Sequence, residues 1–187
     1  MNLNEGLMLE RKFAESLERF LLHEPRKILL VNGARQIGKS YLIRYVGKKL
    51  FKHFVEINLK ADQEGDGIFK TVRSKEDFYL QLGAMAGNNL GSKDDTLVFL
   101  DEIQSYPHLM TMLKFLNEDG KYRYVASGSQ LGVALSQTPS VPIGSIAVHF
   151  LMRQEMLPWQ ELHWLWHFSY SMSQALNPVL LPLEYCR

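Results

Sequence analysis

The segment Asn32-Gly33-Ala34-Arg35-Gln36-Ile37-Gly38-Lys39-Ser40 directly follows the apolar run Ile28-Leu29-Leu30-Val31. It satisfies the pattern G-x-x-x-x-G-K-[ST], which is typical of loops that bind phosphate groups through backbone N–H groups. A phosphate chain carries several negative charges, and the two glycines allow the backbone to approach it without an obstructing Cβ atom. Because an apolar strand, this loop and an amphipathic helix follow in the required order, the pattern favours a phosphate-binding loop over a simple glycine turn.

Two side chains at the end of this loop are expected to contact a ligand. Lys39 supplies a mobile cation for the phosphates, and Ser40 offers a hydroxyl group to Mg²⁺. The helix that begins here directs its positive end at the same position. The residues expected to surround the phosphates are Gly33, Ala34, Arg35, Gln36, Ile37, Gly38, Lys39 and Ser40.

The composition is that of an ordinary globular protein with one main domain. The 187 residues are 46% apolar and 22% charged, and this balance does not indicate disorder. The formal net charge of +1 gives no reason to expect nucleic acid. Lys48, Lys49 and Lys52 form a basic cluster, which we interpret as a solvated helix end. A single cysteine, Cys186, excludes an internal disulfide.

The first residues, 1–5, have neither the basic start nor the apolar centre of a signal peptide. No uncharged stretch has the length and apolar character of a membrane-spanning helix. These two features predict a cytoplasmic protein that does not associate with a membrane.

Five apolar runs alternate with helical patterns along the chain. A helix is predicted over about 7–22, a polar loop over 61–67, and a further helix over about 75–86, where Ser74-Lys75-Glu76-Asp77 fits a capping box. Such alternation indicates βαβ units, and therefore an α/β protein in which helices cover both faces of a mainly parallel, five-stranded sheet. The strands are predicted at 27–31, 54–59, 96–100, 122–126 and 146–151.

Polar side chains follow the predicted third and fourth strands. Asp101 and Glu102 come directly after one, and Ser127 to Ser129 after the other. Ligands bind at the carboxyl ends of parallel strands, so these residues are expected to share one rim with the phosphate loop. Asp101 then suits Mg²⁺, which needs one or two carboxylates, and Glu102 suits activation of the water that attacks the γ-phosphate.

Each of these assignments has a structural alternative. An acidic pair after a strand often caps a helix, although the nearby phosphate loop favours the catalytic interpretation. Ser127 and Ser129 either hydrogen-bond the γ-phosphate or the attacking water, or satisfy only their own backbone. Gln104 and Arg35 are near the site in sequence, yet either of them could face solvent.

Three segments together resemble the predicted AAA+ ATPases of prokaryotes. They are Gly-Ala-Arg-Gln-Ile-Gly-Lys-Ser at 33–40, Leu-Asp-Glu-Ile-Gln at 100–104 and Ser-Gly-Ser at 127–129. The resemblance extends over about 17–151 and implies a three-layer P-loop NTPase core that binds ATP and Mg²⁺. Members usually continue into a winged-helix-like region and a C-terminal nuclease-like domain, which this chain is too short to include.

The resemblance also implies roles for individual residues. Lys39 and Ser40 would contact phosphates and metal, and Asp101 would contact the metal. Glu102 would be the catalytic glutamate, and Lys39 would be the second catalytic residue. A serine, Ser127 or Ser129, would occupy the sensor position after the fourth strand. No arginine finger is assigned, because the nearest candidates, Arg123 and Arg153, have no matching motif.

The composition changes after the fifth strand. Residues 152–187 contain all three tryptophans, Trp159, Trp164 and Trp166, and no lysine. We therefore expect an AAA+ type ATP-binding domain at 1–151, followed by an atypical Trp-rich tail at 152–187 that reflects an altered reading frame or a fragment end. An amphipathic helix that docks on a partner remains the alternative.

The expected function is ATP binding with Mg²⁺-dependent hydrolysis. An Asp-Glu pair directly after a strand favours water activation over the chemistry of a kinase, and the absence of Asn-Lys-x-Asp disfavours a GTPase. A helicase fragment is another alternative, which is disfavoured because the chain has no room for a second motor domain. The alternative from another class is a nucleotide-binding interaction module, or a remnant without turnover. A homo-oligomer or a protein partner is left open as the further binding partner.

Overall fold

A computed structural model of the protein describes residues 3–129, 131 and 146–151. They lie in one compact unit, Met1–Leu151. The predictions for the tail at 152–187, including those for its tryptophans and Arg153, lie outside the described residues. The helices are α1 (Leu3–His23), α2 (Lys39–Leu50), α3 (Leu59–Glu64), α4 (Lys75–Ala86) and α5 (Pro107–Asp119). The strands are β1 (Ile28–Gly33), β2 (His53–Asn58), β3 (Thr96–Asp101), β4 (Arg123–Gly128) and β5 (Ile146–Leu151).

The five strands form one sheet in the order β2-β3-β4-β1-β5. All four pairings are parallel. The expected α/β fold with a parallel, five-stranded sheet is therefore confirmed, and the bounds predicted for the fifth strand are those observed. The first four strands begin or end one or two residues away from their predicted limits.

Apolar side chains on both faces of the sheet are buried. Ile28 and Leu30 of β1 belong to one core cluster, whereas Leu29 and Val31 belong to the other, because successive side chains of a strand point to opposite faces. α1 and α2 supply side chains to the cluster around Leu29, and α4 and α5 to the cluster around Leu30. The structure therefore has the predicted three layers, with helices on both sides of the sheet.

The register of the sheet aligns the carboxyl ends of the strands that precede the polar residues. Val31 of β1 pairs with Ser127 of β4, and Leu100 of β3 pairs with Ala126. The phosphate loop, Asp101 and Ser127 consequently emerge at the same rim, as the strand order along the chain predicts.

The segment 61–67 was predicted as a loop, and this prediction is wrong for its first half. α3 includes residues 61–64, and the side chain of Asn58 caps it by accepting a hydrogen bond from the N–H group of Ala61 at 2.9 Å. The Asp62 carboxylate then accepts bonds from two backbone N–H groups, of Ile68 and Phe69, and from the Tyr106 hydroxyl. These hydrogen bonds stabilise the helix and the segment after it, although the polar composition of the segment is typical of a loop.

The capping box predicted at Ser74 is present. The Ser74 hydroxyl accepts a bond from the N–H group of Asp77, and the Asp77 carboxylate accepts one from the N–H group of Ser74. The helix runs to Ala86, as the sequence predicts. Across the parts of the chain that the structure describes, no helix is long and apolar enough to cross a membrane.

Candidate functional site

The loop between β1 and α2 turns back on itself through two residues with positive φ. Gly38 has φ 86°, a backbone conformation that residues with a side chain rarely adopt, and Gln36 has φ 62°. Gly38 also precedes the first residue of α2 and supplies no side chain to cap the helix. The first N–H groups of α2 are thus left without a side-chain acceptor at the rim of the sheet, where they can receive an anion.

The side chains of the loop differ in exposure. Gly33 ends β1, and Ile37 is half-buried beside Gly38. Ala34, Arg35 and Gln36 are exposed. Arg35, whose orientation the sequence left open, therefore faces solvent.

Lys39 is the buried cation of the loop, with only 5% of its surface exposed. Its ammonium group donates hydrogen bonds to the carbonyl oxygens of Gly33 at 2.9 Å and Ala34 at 2.7 Å. Burial lowers the pKa of Lys39 below its ordinary value, and the nearby negative charges of Glu102 and Asp101 offset only part of this decrease. Lys39 thus holds a positive charge against the loop, near enough to Glu102 and Asp101 for their negative charges to act on it.

Asp101 connects three elements of the site. One of its carboxylate oxygens accepts the hydroxyl of Ser40 at 2.7 Å. The other accepts the hydroxyl of Ser127 and the N–H group of Glu102, the latter at 3.1 Å. Asp101 is only 6% exposed, and these hydrogen bonds from Ser40 of α2, from Ser127 of β4 and from the Glu102 N–H group hold its carboxylate in one orientation. Ser127 therefore contacts Asp101, an arrangement that neither sequence alternative included.

Glu102 lies just beyond β3 in a left-handed backbone conformation, with φ 55° and ψ 47°. This region is uncommon for residues other than glycine and costs free energy, so its occurrence often marks a functional position. Glu102 also precedes the 3₁₀ turn Ile103–Ser105, which lies between β3 and α5. The side chain of Gln104 in that turn donates a hydrogen bond to the Glu102 carboxylate.

Gln104 is the residue that sequence reasoning undervalued. Its side-chain amide lies between Glu102 and Ser129, with Nε2 at 3.4 Å from the Ser129 hydroxyl oxygen. The solvent-facing alternative is therefore wrong for Gln104. The only sequence signal was an amide two residues after the acidic pair, and the turn that directs it inward is not visible in any periodic pattern.

Arg123 is excluded from the rim. Its guanidinium group is buried at the start of β4, donates to the carbonyl oxygen of Leu21 and lies 5.9 Å from the centre of the Phe51 ring. Arg123 thus joins β4 to α1 and does not reach the carboxyl ends of the strands.

The assembled site combines a buried cation, a hydrogen-bonded carboxylate and a second carboxylate on one rim. Oxygen ligands of this kind suit a hard divalent cation, and Ser40 and Asp101 already lie within hydrogen-bond distance of each other. The helix start and Lys39 suit a phosphate chain beside it. The chemistry of the residues present therefore fits a nucleotide phosphate chain with Mg²⁺.

Comparison with known proteins gives a family and a fold. A family model described as "AAA domain" matches residues 25–159. No curated protein matches the chain. Solved structures with similar folds include a complex of S. cerevisiae Hsp104 with ADP, at 14% sequence identity and a TM-score of 0.50. C. elegans PCH-2 is also 14% identical, at a TM-score of 0.42.

The extent of these matches differs between the two proteins. The match to Hsp104 covers 87% of this chain but only 24% of the Hsp104 chain. For PCH-2 the corresponding values are 100% and 51%. The family model covers well over half of this chain. The chain therefore belongs to the AAA domain family, with a nucleotide-binding core of the ATPase type.

Proposed function

We propose that the protein binds ATP and hydrolyses it in a Mg²⁺-dependent reaction. The observation that carries this proposal is the arrangement at the ends of β1 and β3, where Lys39, Asp101 and Glu102 meet at one rim. A loop that bound phosphate for structural reasons alone would not need two carboxylates beside it. This arrangement corresponds to a Walker A loop followed by a Walker B acidic pair.

Binding would use the loop from Gly33 to Ser40. Its backbone N–H groups and the uncapped start of α2 provide partial positive charge, and Lys39 provides a full charge on a flexible side chain. The Lys39 ammonium group already lies against the Gly33 and Ala34 carbonyl oxygens. We expect it to exchange these neutral acceptors for phosphate oxygens, because charge-assisted hydrogen bonds are stronger.

Ser40 and Asp101 are the residues that would hold Mg²⁺. When bound, the ion neutralises charge on the phosphates. The Asp101 carboxylate is buried and fixed by Ser127 and the Glu102 N–H group, so it offers a preorganised ligand. The Ser40 hydroxyl needs only to rotate its proton away from Asp101 to present a lone pair.

Glu102 is the residue that we propose takes the proton of the attacking water. The carboxylate accepts a proton from water as the water attacks the γ-phosphate, and this is a role that the neutral amide of glutamine cannot fill. Its left-handed backbone conformation ends the extended course of β3, whose last residue is Asp101. Ser129, which follows β4, is proposed to contact the γ-phosphate or the water, while Ser127 supports Asp101.

A phosphate-release assay on the full chain tests the proposal. Phosphate should be released from ATP in the presence of Mg²⁺, release should stop in excess EDTA, and a Lys39→Ala sample purified in parallel should be inactive. Binding of a fluorescent ATP analogue without any release would support the alternative, a nucleotide-binding interaction module. A cytoplasmic location and a homo-oligomer or protein partner remain predictions that neither result decides.

A further inference from the structure

The side chain of Gln104 connects Glu102, which follows β3, to Ser129, which follows β4. Its Nε2 group donates to a carboxylate oxygen of Glu102 and lies 3.4 Å from the hydroxyl oxygen of Ser129. Its Oε1 atom is buried and has no hydrogen-bond partner within the described residues. Gln104 is thus partly buried beside the carboxylate that the proposed hydrolysis requires.

Chemistry fixes which end of the amide faces Glu102. An ionised carboxylate only accepts hydrogen bonds, so the NH₂ group must point towards it, and the opposite orientation would place two acceptor oxygens against each other. Among the described residues, Gln104 is also the one side chain that donates a hydrogen bond to the Glu102 carboxylate. The orientation of that carboxylate therefore depends on Gln104.

Gly128, at the end of β4, leaves the space that the Gln104 amide fills. A Cβ atom at this position would lie 2.2 Å from Oε1 of Gln104 and 2.6 Å from Cδ2 of Leu131. Both distances are far shorter than any tolerated contact. A side chain at position 128 would therefore displace the Gln104 amide or the Leu131 side chain from its observed position, and the space that the glycine leaves is the space through which the amide reaches between Glu102 and Ser129.

A purely structural role explains this arrangement poorly. A buried acceptor without a partner costs stability, and an apolar side chain of the same length would avoid that cost. The amide instead gives the Glu102 carboxylate its hydrogen bond, an arrangement that is expected where function is favoured over stability.

We propose that Gln104 is a positioning residue that orients the Glu102 carboxylate for water activation and joins it to Ser129 at the end of β4. The proposal rests on the proposed hydrolysis and adds a further residue to that site. It predicts that removing the amide slows the chemical step while ATP binding and folding stay intact.

The substitution Gln104→Met tests this, since methionine keeps the length of the side chain but cannot donate. We expect kcat to fall roughly 10- to 100-fold, the size that loss of a hydrogen bond to a charged group gives. The dissociation constant of a fluorescent ATP analogue should change by less than about 2-fold, and the melting temperature should not fall. A Gln104 that served only to support the fold would lower the melting temperature instead.

Gln63→Met is the matched control. Gln63 is exposed, and its amide donates to the carbonyl oxygen of Ser105 at 3.0 Å, so it contacts the same 3₁₀ turn without touching Glu102. This variant should keep the parent kcat. An equal loss of kcat in both variants would mean that the turn as a whole matters, and would overturn the specific role of Gln104.

A double-mutant cycle with Glu102→Gln shows whether Gln104 acts through Glu102. If it does, Gln104→Met should cost little further activity once Glu102 has been replaced. A further loss of about 10-fold in that background would overturn the proposal. If the parent hydrolyses ATP and the kcat of Gln104→Met is equal or higher, this proposal is also overturned. The proposed function would be unaffected by that result. A parent chain that binds ATP but releases no phosphate would instead overturn the proposed function, and with it this role.

Discussion

The Ser40 hydroxyl on α2 donates a hydrogen bond to the Asp101 carboxylate on β3 at 2.7 Å, although 61 positions separate the two residues in the chain. This bond joins the end of the phosphate loop to the acidic rim. Because Ser127 on β4 donates to the other oxygen of the same carboxylate, Asp101 is held from both sides. The proposed metal site is therefore organised by the sheet register and not by one local motif.

Lys39→Ala should weaken binding of a fluorescent ATP analogue by about 1.5 to 3 kcal/mol, or roughly 10- to 100-fold, because a charged hydrogen-bond donor to the phosphates is lost. Titration in the presence of Mg²⁺ measures this. Lys48→Ala is the control, since Lys48 lies exposed at the other end of α2 and should leave affinity unchanged. Equal affinity of Lys39→Ala and the parent would remove Lys39 from the site.

Asp101→Asn should abolish most of the effect of Mg²⁺ on ATP-analogue affinity. The amide keeps the shape of the carboxylate, and its single oxygen can still accept one of the two hydroxyls of Ser40 and Ser127, while its NH₂ group can donate to the other hydroxyl oxygen. The neutral amide offers Mg²⁺ a weaker ligand. Titrations with Mg²⁺ and with EDTA give the difference. The control is Asp95→Asn, because Asp95 bonds Ser92 in a distant turn. A Mg²⁺ effect of parent size in Asp101→Asn would contradict the assignment.

Gly47→Ala should destabilise the protein by about 1 to 3 kcal/mol, the usual cost of overpacking a core. An added Cβ atom would lie 2.5 Å from the Phe54 ring and 3.0 Å from Leu97. Gly83→Ala in α4 is a matched control, since its Cβ would meet nothing within 4 Å. That variant should gain roughly 0.5 to 1 kcal/mol from helix propensity. Urea unfolding of both variants measures the contrast, and a stable Gly47→Ala would show that α2 packs more loosely than described.

Asp119 should make stability depend on pH in the acid range. Hydrogen bonds from Lys75 and Tyr79 hold the pKa of the Asp119 carboxyl below its ordinary value of 3.8. Its stabilising effect is therefore present above pH 3.8 and is lost as the pH falls through the folded-state pKa. Asp119→Asn should unfold at lower urea than the parent at pH 7, and the difference should shrink below pH 3.8. A difference between Asp119→Asn and the parent that stays constant across pH would contradict this role.

The sheet and the phosphate loop could be predicted because their signals are local. Continuous apolar runs such as that of β3 identify buried strands, and the spacing between Gly33 and Ser40 identifies the loop. The order of strands and helices along the chain then places Asp101 and Glu102 at the correct rim. Each of these inferences uses residues within one element or its immediate neighbour.

The contacts of α3, Ser127 and Gln104 could not be predicted, because they depend on partners distant in the chain. The Asp62 carboxylate that organises the segment after α3 bonds Tyr106, 44 positions away, and Ser127 bonds Asp101, 26 positions away. The Gln104 amide occupies space that Gly128, 24 positions further along the chain, leaves beside it. Such partners become visible only once the sheet register is known.

The measurement that tests the central claim most directly compares Glu102→Gln with the parent in one experiment, by titrating an ATP analogue and then following phosphate release with Mg²⁺. Glutamine keeps the shape of the side chain but cannot accept the proton of the attacking water. We predict unchanged affinity and a rate of phosphate release reduced by roughly 10²-fold or more. Phosphate release at the parent rate by Glu102→Gln would contradict the account.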